Sequence, residues 1–365
     1  MAETQMPAAR HPVERLHEFS ARVFESCGVP RADALRAADV LTTADLWGID
    51  SHGVARLLAY YEMLTRGLVN PHPQIRTVRG LPATASVDGD NGLGLVVGVK
   101  ANELAMEKAE AVGAGCVFVM NSNHFGIAGY YVCRALSRDL LGWAMTNTPP
   151  LVSPLWGAER MLGTNPMAVA FPGKEEPPVV IDFATSAISF GVAENAVRAG
   201  AELPEGLMID ADGHPTTRPE EVVKGGALLP LGRDRVYGGH KGYCLAAMVD
   251  LLCGVVSGAN WGPFVPPFPH YLKQPERAVG KGLGHLFGAL RLDGLVEPDE
   301  LKARVDEWVR VFRDTKPAPG TGGPLIPGDP ERASEASRRA EGVPLQESVV
   351  GELRHLATRT GVPFD

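Results

Sequence analysis

Apolar positions recur every three or four residues at the start of the chain, gather into short runs through the middle, and return to helical spacing at the end. In "VERLHEFSARVFESCG", Val13, Leu16, Phe19 and Val23 share one helical face, and Gly28 follows as a stop. "RADALRAADVLTTADLWG" repeats the pattern, and "SHGVARLLAYYEMLTRG" predicts a third helix ending at Gly67. The prolines of "LVNPHPQ" then punctuate. Beyond them "ATASVDGDNG" predicts a strand and turn, and "ANELAMEKAEAVGAG" a helix stopped by glycine. "CVFVM", "MAVAFPG" and "PPVVIDF" are β-branched or aromatic runs bounded by turn formers, as strands are. "GYCLAAMVDLLCGVVSG" is apolar on nearly every side, which predicts a buried helix. Helical spacing resumes in "PDELKARVDEWVRVFRDT", "ERASEASRRAEG" and "LQESVVGELRHLATRTG". The expectation is an α/β protein in three segments: a helical 1–72, an α/β 73–297 carrying the ligands, and a helical 298–365 packed on the first.

Composition narrows this picture. The chain has 365 residues, 45% apolar and 21% charged, enough for a substantial core. A net charge of −8 without any basic block argues against a nucleic-acid partner. No apolar run approaches the roughly 20 residues that cross a bilayer, and the N-terminus lacks the apolar stretch of a secretory signal. Five cysteines form no CxxC pair, so reduced, mostly buried thiols in a cytoplasmic protein are expected.

The familiar motifs are missing. "GLGLVVG" has the wrong spacing for a dinucleotide-binding GxGxxG, and there is no Walker A loop, HExxH or GxSxG. Four less familiar clusters remain. In "GIDSHGVARLLAYY" a helix starting at Ser51 or His52 would place His52, Arg56 and Tyr60 on one face, with Ser51 as its N-cap. Such a row could grip an anion, because a guanidinium makes two parallel bonds to a carboxylate; it could also be a solvated helix face. In "MNSNHFGIAGYY", His124 follows a buried strand among Asn121 and Asn123, where an imidazole can serve as acid and base or simply lie in a loop. "LGTNPMAVAFPG" and "VIDFATS" set Thr164, Asn165, Asp182, Thr185 and Ser186 at strand ends, where ligands or ordinary turns occur. "GGHKGYCLAAMVDLL" puts His240 and Lys241 at a helix start suited to phosphate. His52, His124, His240 and Asp182 could instead ligate a metal for hydrolysis or elimination, although no chelating spacing is present and no metal is expected.

With these residues in view, the sequence resembles the malate/L-lactate dehydrogenase family of the non-Rossmann type. Relatives of that kind include ureidoglycolate and L-sulfolactate dehydrogenases, 2,3-diketo-L-gulonate reductase and cyclic imino-acid reductases. The matching text runs in order from about residue 10 to 360: "DLWGIDSHGVARLLAYY", "VDGDNGLG", "NSNHFGIAGYY", "GTNPMAVAFPG", "IDFATSA", "PTTRPEEVVKGGALLPLG", "GGHKGYCLAAMVDLLCGVVSGA", "GLGHLF" and "LIPGDPE". The resemblance implies a family-specific, non-Rossmann NAD(P)-binding α/β fold with both chain ends in one helical layer. It further implies a homodimer that interconverts a 2-hydroxy acid and a 2-oxo acid with NAD or NADP.

Carried over by motif, His124 is the acid/base, supported by His52 and Ser51, with Arg56 and Tyr60 on the substrate. The resemblance gives the cofactor Asn123, Thr148, Asn165, Asp182, Phe183, Ala184, His240, Lys241, Pro327, Gly328 and Asp329. Two departures stand out: Cys244 replaces a glycine of the usual HKGYGL, and Val192 stands where relatives tend to carry a charge. Val192 cannot relay a proton, which disfavours the imino-acid reductase branch. The far end of the substrate is expected against 261–282.

Overall fold

The computed structural model describes residues 9–267 and 274–364, so 268–273 of the expected substrate-lining stretch lie outside the described residues. Strand β1 (Ala9–His11) leads into helices α1 (Val13–Ser26), α2 (Arg31–Leu46) and α3 (Leu57–Thr65). The α/β middle follows as β2 (Arg76–Gly80), β3 (Thr84–Asp88), α4 (Gly94–Val112), β4 (Ala114–Ser122), α5 (Ala128–Leu136), β5 (Leu140–Thr146), β6 (Met167–Phe171), β7 (Val179–Phe183) and α6 (Phe190–Ala199). Four short elements come next, β8 (Met208–Ile209), β9 (Pro215–Thr216), α7 (Glu220–Val223) and β10 (Ala227–Leu228), and then α8 (Gly239–Asp250) and β11 (Leu283–Arg291). The chain closes with α9 (Pro298–Arg313), α10 (Asp329–Glu341), β12 (Val343–Leu345) and α11 (Glu347–Thr360).

The main sheet has seven strands in the order β2-β3-β4-β11-β5-β6-β7. Only β3 and β4 run parallel; the other five pairings are antiparallel. A Rossmann sheet is mostly parallel, so this is a different α/β architecture. Central β11 is buried from Leu283 to Ala289 because both its faces are covered. Ala289 packs with Met106 and Ala109 of α4 on one side, and Leu286 with Val249 and Cys253 on the other.

Both chain ends share one layer. Ala9 pairs with Leu345 and His11 with Val343 in an antiparallel ribbon, and Leu16, Phe19, Val350 and Leu353 belong to one apolar cluster. A second, smaller unit stands apart from that core. Its three-stranded sheet β10-β8-β9 closes over Val152, Leu162, Met208, Val222 and Leu228, with Phe190 against them.

Three expectations are corrected. The third helix does not start at Ser51: Asp50–His52 and Val54–Arg56 are separate single 3₁₀ turns, and α3 begins at Leu57. The cause is Asp45, whose carboxylate accepts the Val54 N–H at 2.9 Å and lies where a Cβ at residue 53 would be. Ser51 therefore caps no helix; its hydroxyl meets His52 instead. The apolar helix is not buried all round either. After α8 the chain continues as a π-helical turn, Leu251–Val256, and Met248, Leu251 and Val255 stay exposed. Of the five free cysteines only Cys253 is buried, and Cys244 is exposed.

Candidate active site

The sheet delivers His124 to a cavity. Near the end of β4, Asn121 turns with φ +58, and the Asn123 amide donates to the Gly92 carbonyl at 2.9 Å, tying the loop after β4 to the turn after β3. The next residue is His124, whose Nδ1 lies 2.6 Å from the hydroxyl of fully buried Tyr60. His52 stacks on the same imidazole, with ring centroids 5.6 Å apart and planes 25° apart. Ser51 Oγ holds His52 Nδ1 at 2.9 Å. Arg56 donates from Nε to the Ser51 carbonyl at 2.7 Å and pairs through Nη2 with Glu194 at 3.3 Å. His52, Arg56 and His124 thus border one cavity of about 100 Å³, faced by Thr148, Leu151 and Phe190.

Burial governs the protonation of this group. It pushes His52 down to about 4, with the Arg56 charge adding to the effect. His124 is held well below its usual value by burial first, then by His52 and Arg56. Tyr60 is raised by burial, so its hydroxyl keeps its proton near neutrality. Beneath the loop, fully buried His285 stacks on Phe125 at 4.9 Å and contacts the Thr146 hydroxyl at 2.7 Å and the Ser122 hydroxyl at 2.8 Å.

A larger cleft of about 420 Å³ shares His52, Gly126, Thr164, Pro166 and Ser189 with this cavity. Trp47, Ile127, Pro178 and Val180 give it apolar walls, while Asp182, Glu331, Glu335 and Arg332 give it charge. The Asp182 carboxylate accepts the Gly129 N–H at 2.7 Å, near the start of α5, and burial lifts it to about 6. Arg332 is already engaged, with Asp329 at 2.6 Å and the Pro178 carbonyl at 2.8 Å.

The residues singled out in the sequence are therefore sorted by the structure. Ser51, His52, Arg56, His124 and Thr148 line the cavity or its mouth, and Asp182, Phe183, Ala184 and Gly328 line the cleft. Tyr60 stands behind His124 rather than on the cavity wall. Asn123 and Asn165 are tied up in the scaffold, Asn165 between the Thr148 N–H at 3.1 Å and the Ala246 carbonyl at 3.0 Å. Asp329 accepts the Ile326 N–H and pairs with Arg332, so it supports the Gly328 turn without entering the cleft, and Pro327 gives its carbonyl to the Val180 N–H. His240 and Lys241 border neither space. Among the described residues the only group of three or more such side chains gathered closely enough to hold a metal is Asp210, Asp212 and His214, which lines neither space and includes none of His52, His124, His240 and Asp182. Glu194 was missed. Val192 points to solvent, so its lack of charge says nothing about the cavity; a helix starting at Phe190 puts Glu194 four residues on, on the Phe190 face, and that spacing was the available signal.

A mixed sheet thus sets an imidazole-lined cavity beside a larger cleft with apolar and acidic walls. The family model for malate/L-lactate dehydrogenase matches residues 11–354. The chain is 41% identical to malate dehydrogenase of Pyrococcus horikoshii over 97% of this chain and 96% of that one. It is 39% identical to L-sulfolactate dehydrogenase of Methanocaldococcus jannaschii, over 94% and 95%. The crystal structure of malate dehydrogenase from Entamoeba histolytica superposes with a TM-score of 0.92 at 32% identity, covering 98% of this chain and 99% of that one. The chain belongs to the malate/L-lactate dehydrogenase family, and it is a 2-hydroxy acid dehydrogenase that uses a nicotinamide cofactor. The cleft fits such a group: its apolar walls suit flat rings, its carboxylates suit ribose hydroxyls, and it runs into the cavity where His124 lies.

Proposed function

We propose that His124 is the acid/base, that Arg56 holds the substrate carboxylate, and that the cleft beside them takes NAD in preference to NADP. One observation carries this reading: a guanidinium and an imidazole from distant parts of the chain border a single cavity that opens into the cleft. A nicotinamide held in the cleft would supply the hydride acceptor for C2 of the hydroxy acid and, when reduced, the hydride donor for the oxo acid. Arg56, fixed by the Ser51 carbonyl, orients the carboxylate so that C2 faces the cleft. His124 takes the hydroxyl proton through Nε2 in oxidation and returns it in reduction. Tyr60, at Nδ1, fixes the ring and passes its hydrogen-bond donor or acceptor role to suit either tautomer. His52, kept neutral by burial, packs against the ring without adding a charge beside the proton transfer.

The preference for NAD rests on charge. Asp182, Glu331 and Glu335 face the cleft against one guanidinium that Asp329 already pairs, a poor setting for a 2′-phosphate. Assays with a panel of 2-oxo acids and both reduced cofactors test the reading: turnover with NADH at least ~10-fold more efficient than with NADPH is expected, each tenfold being about 1.4 kcal/mol. No oxidation of either cofactor with any 2-oxo acid would refute it. We further infer a homodimer in the cytoplasm. The exposed apolar stripe Cys244, Met248, Leu251 and Val255 runs along one face of the α8 helix and its π extension and suits a second copy of this chain. The free thiols fit a reducing compartment. A monomer by light scattering, unchanged on replacing Met248 with Glu, would remove the dimer.

A further inference from the structure

We propose that His285, near the start of central strand β11, is a positioning residue for the reaction: its imidazole grips the loop that carries His124 on both flanks and ties it to the cavity wall. The inference rests on the reading of His124 as the acid/base.

His285 is fully buried and does not line the cavity, yet its ring reaches three places at once. Phe125, the residue after His124, lies flat on it, with ring centroids 4.9 Å and planes 13° apart. Tyr131 stacks on Phe125 as well, at 4.8 Å, and donates its hydroxyl to the Phe125 carbonyl. Ser122, two residues before His124, brings Oγ to 2.8 Å from Nε2. Thr146, on the cavity wall, brings Oγ1 to 2.7 Å from Nδ1.

These bonds fix which nitrogen carries the proton. Thr146 Oγ1 lies 3.0 Å from both the Asn147 and the Gly284 carbonyls, which only accept, so its proton points to them and its lone pair accepts from Nδ1–H. Nε2 is then bare, and the Ser122 hydroxyl donates to it. Burial drives the group down to about 3, so the ring stays neutral and keeps this polarity near neutrality. A flat ring with one donor and one acceptor meets all three partners; a phenyl ring could only stack.

The backbone is bent to make the contact. Leu283 pairs with Ser122, so regular antiparallel pairing would put His285 opposite Met120. It lies opposite Val119 instead, because β4 carries one extra residue there, and Asn121 within that bulge has φ +58. Such bulges re-aim side chains at some cost in strain.

The test measures kcat, KM for the best 2-oxo acid and NADH affinity in His285→Phe, Ser122→Ala and the double variant. His285→Phe is expected to lower kcat about 10-fold, since a small misplacement of a reacting group is costly, and to leave KM and NADH affinity within about twofold of wild type. Ser122→Ala, which removes one hydrogen bond, should lower kcat about 3-fold. The double variant should be no slower than His285→Phe, whose bond to Ser122 is already lost. A kcat unchanged per folded enzyme marks a core residue and overturns the proposal. So does a KM that rises as far as kcat falls, or a double variant slowed by the product of the single effects. If His285→Phe does not fold, Ser122→Ala decides by the same split between kcat and KM. Near-normal turnover in His124→Ala would remove the functional reading and this inference with it; a slow His124→Ala beside a fully active His285→Phe would remove this inference alone.

Discussion

The imidazole cavity and the cleft beside it share five residues, yet they differ in how far they suppress charge. The cavity suppresses it: His52 is driven down to about 4, His124 well below its usual value, and Arg56 is compensated by Glu194. The cleft suppresses it less: burial lifts Asp182 to about 6, which still leaves the carboxylate charged near neutrality, and Glu331 and Glu335 stand with it around a space several times larger. The lesson is that proton transfer and recognition are assigned to different dielectric settings. A neutral, enclosed imidazole can change protonation with the reaction, while carboxylates in the open cleft select among hydroxyls and phosphates.

The largest expected effect breaks the cavity at its centre. His124→Ala should lower turnover at least ~10²-fold while NADH still quenches Trp47, which lines the cleft; near-normal turnover would take His124 out of the role. Arg56→Ala should raise KM for the 2-oxo acid about 10- to 100-fold, the worth of a charge-assisted pair, and leave cofactor affinity unchanged. An unchanged KM would mean that another group anchors the carboxylate. Tyr60→Phe removes only the hydroxyl at 2.6 Å from His124 Nδ1. It should lower kcat about 10-fold with little change in KM, as loss of a supporting hydrogen bond does, so a KM effect as large as that on kcat would return Tyr60 to direct substrate contact.

The smallest effects are on stability and sharpen the same contrast. His52 is lowered on folding from 6.5 to about 4, so the folded state holds fewer protons than the unfolded chain in that window. Stability should therefore fall as pH drops from 6.5 towards 4. Asp45 runs the other way. Burial raises it from 3.8 to about 8, so the folded state holds more protons there, and stability should fall as pH rises through that range. Asp45→Asn keeps an acceptor for the Val54 N–H and cannot ionise; it should gain on the order of 1 kcal/mol over the wild type at pH 8, measured by denaturant unfolding, and show no such gain at pH 4. A variant equally destabilised at both pH values would show that Asp45 acts only through shape.

Much of this was legible in the sequence because periodicity is local. The spacing of Leu16, Phe19 and Val23 marks α1, and the runs "CVFVM" and "PPVVIDF" mark β4 and β7. The break before α3 was not legible, since it depends on the Asp45 side chain reaching the Val54 N–H from the end of α2. Central β11 was not identified as a strand, because a core strand of mixed glycine and leucine has no alternation to read. In the site, the chemistry of His124 and Arg56 could be named from residue type and motif. Their meeting could not, being set by the loop after β4 and by Gly53, and the pairing of Glu194 with Arg56 could not, because its helix approaches from the small unit.

The central claim is that one small anion lies between Arg56 and His124 beside the nicotinamide. A crystal structure of the enzyme with NADH and oxamate tests it directly. The oxamate carboxylate is predicted on the Arg56 guanidinium, with its 2-oxo oxygen within hydrogen-bond distance of His124 Nε2; oxamate bound elsewhere, or touching only one of the two, would contradict the account.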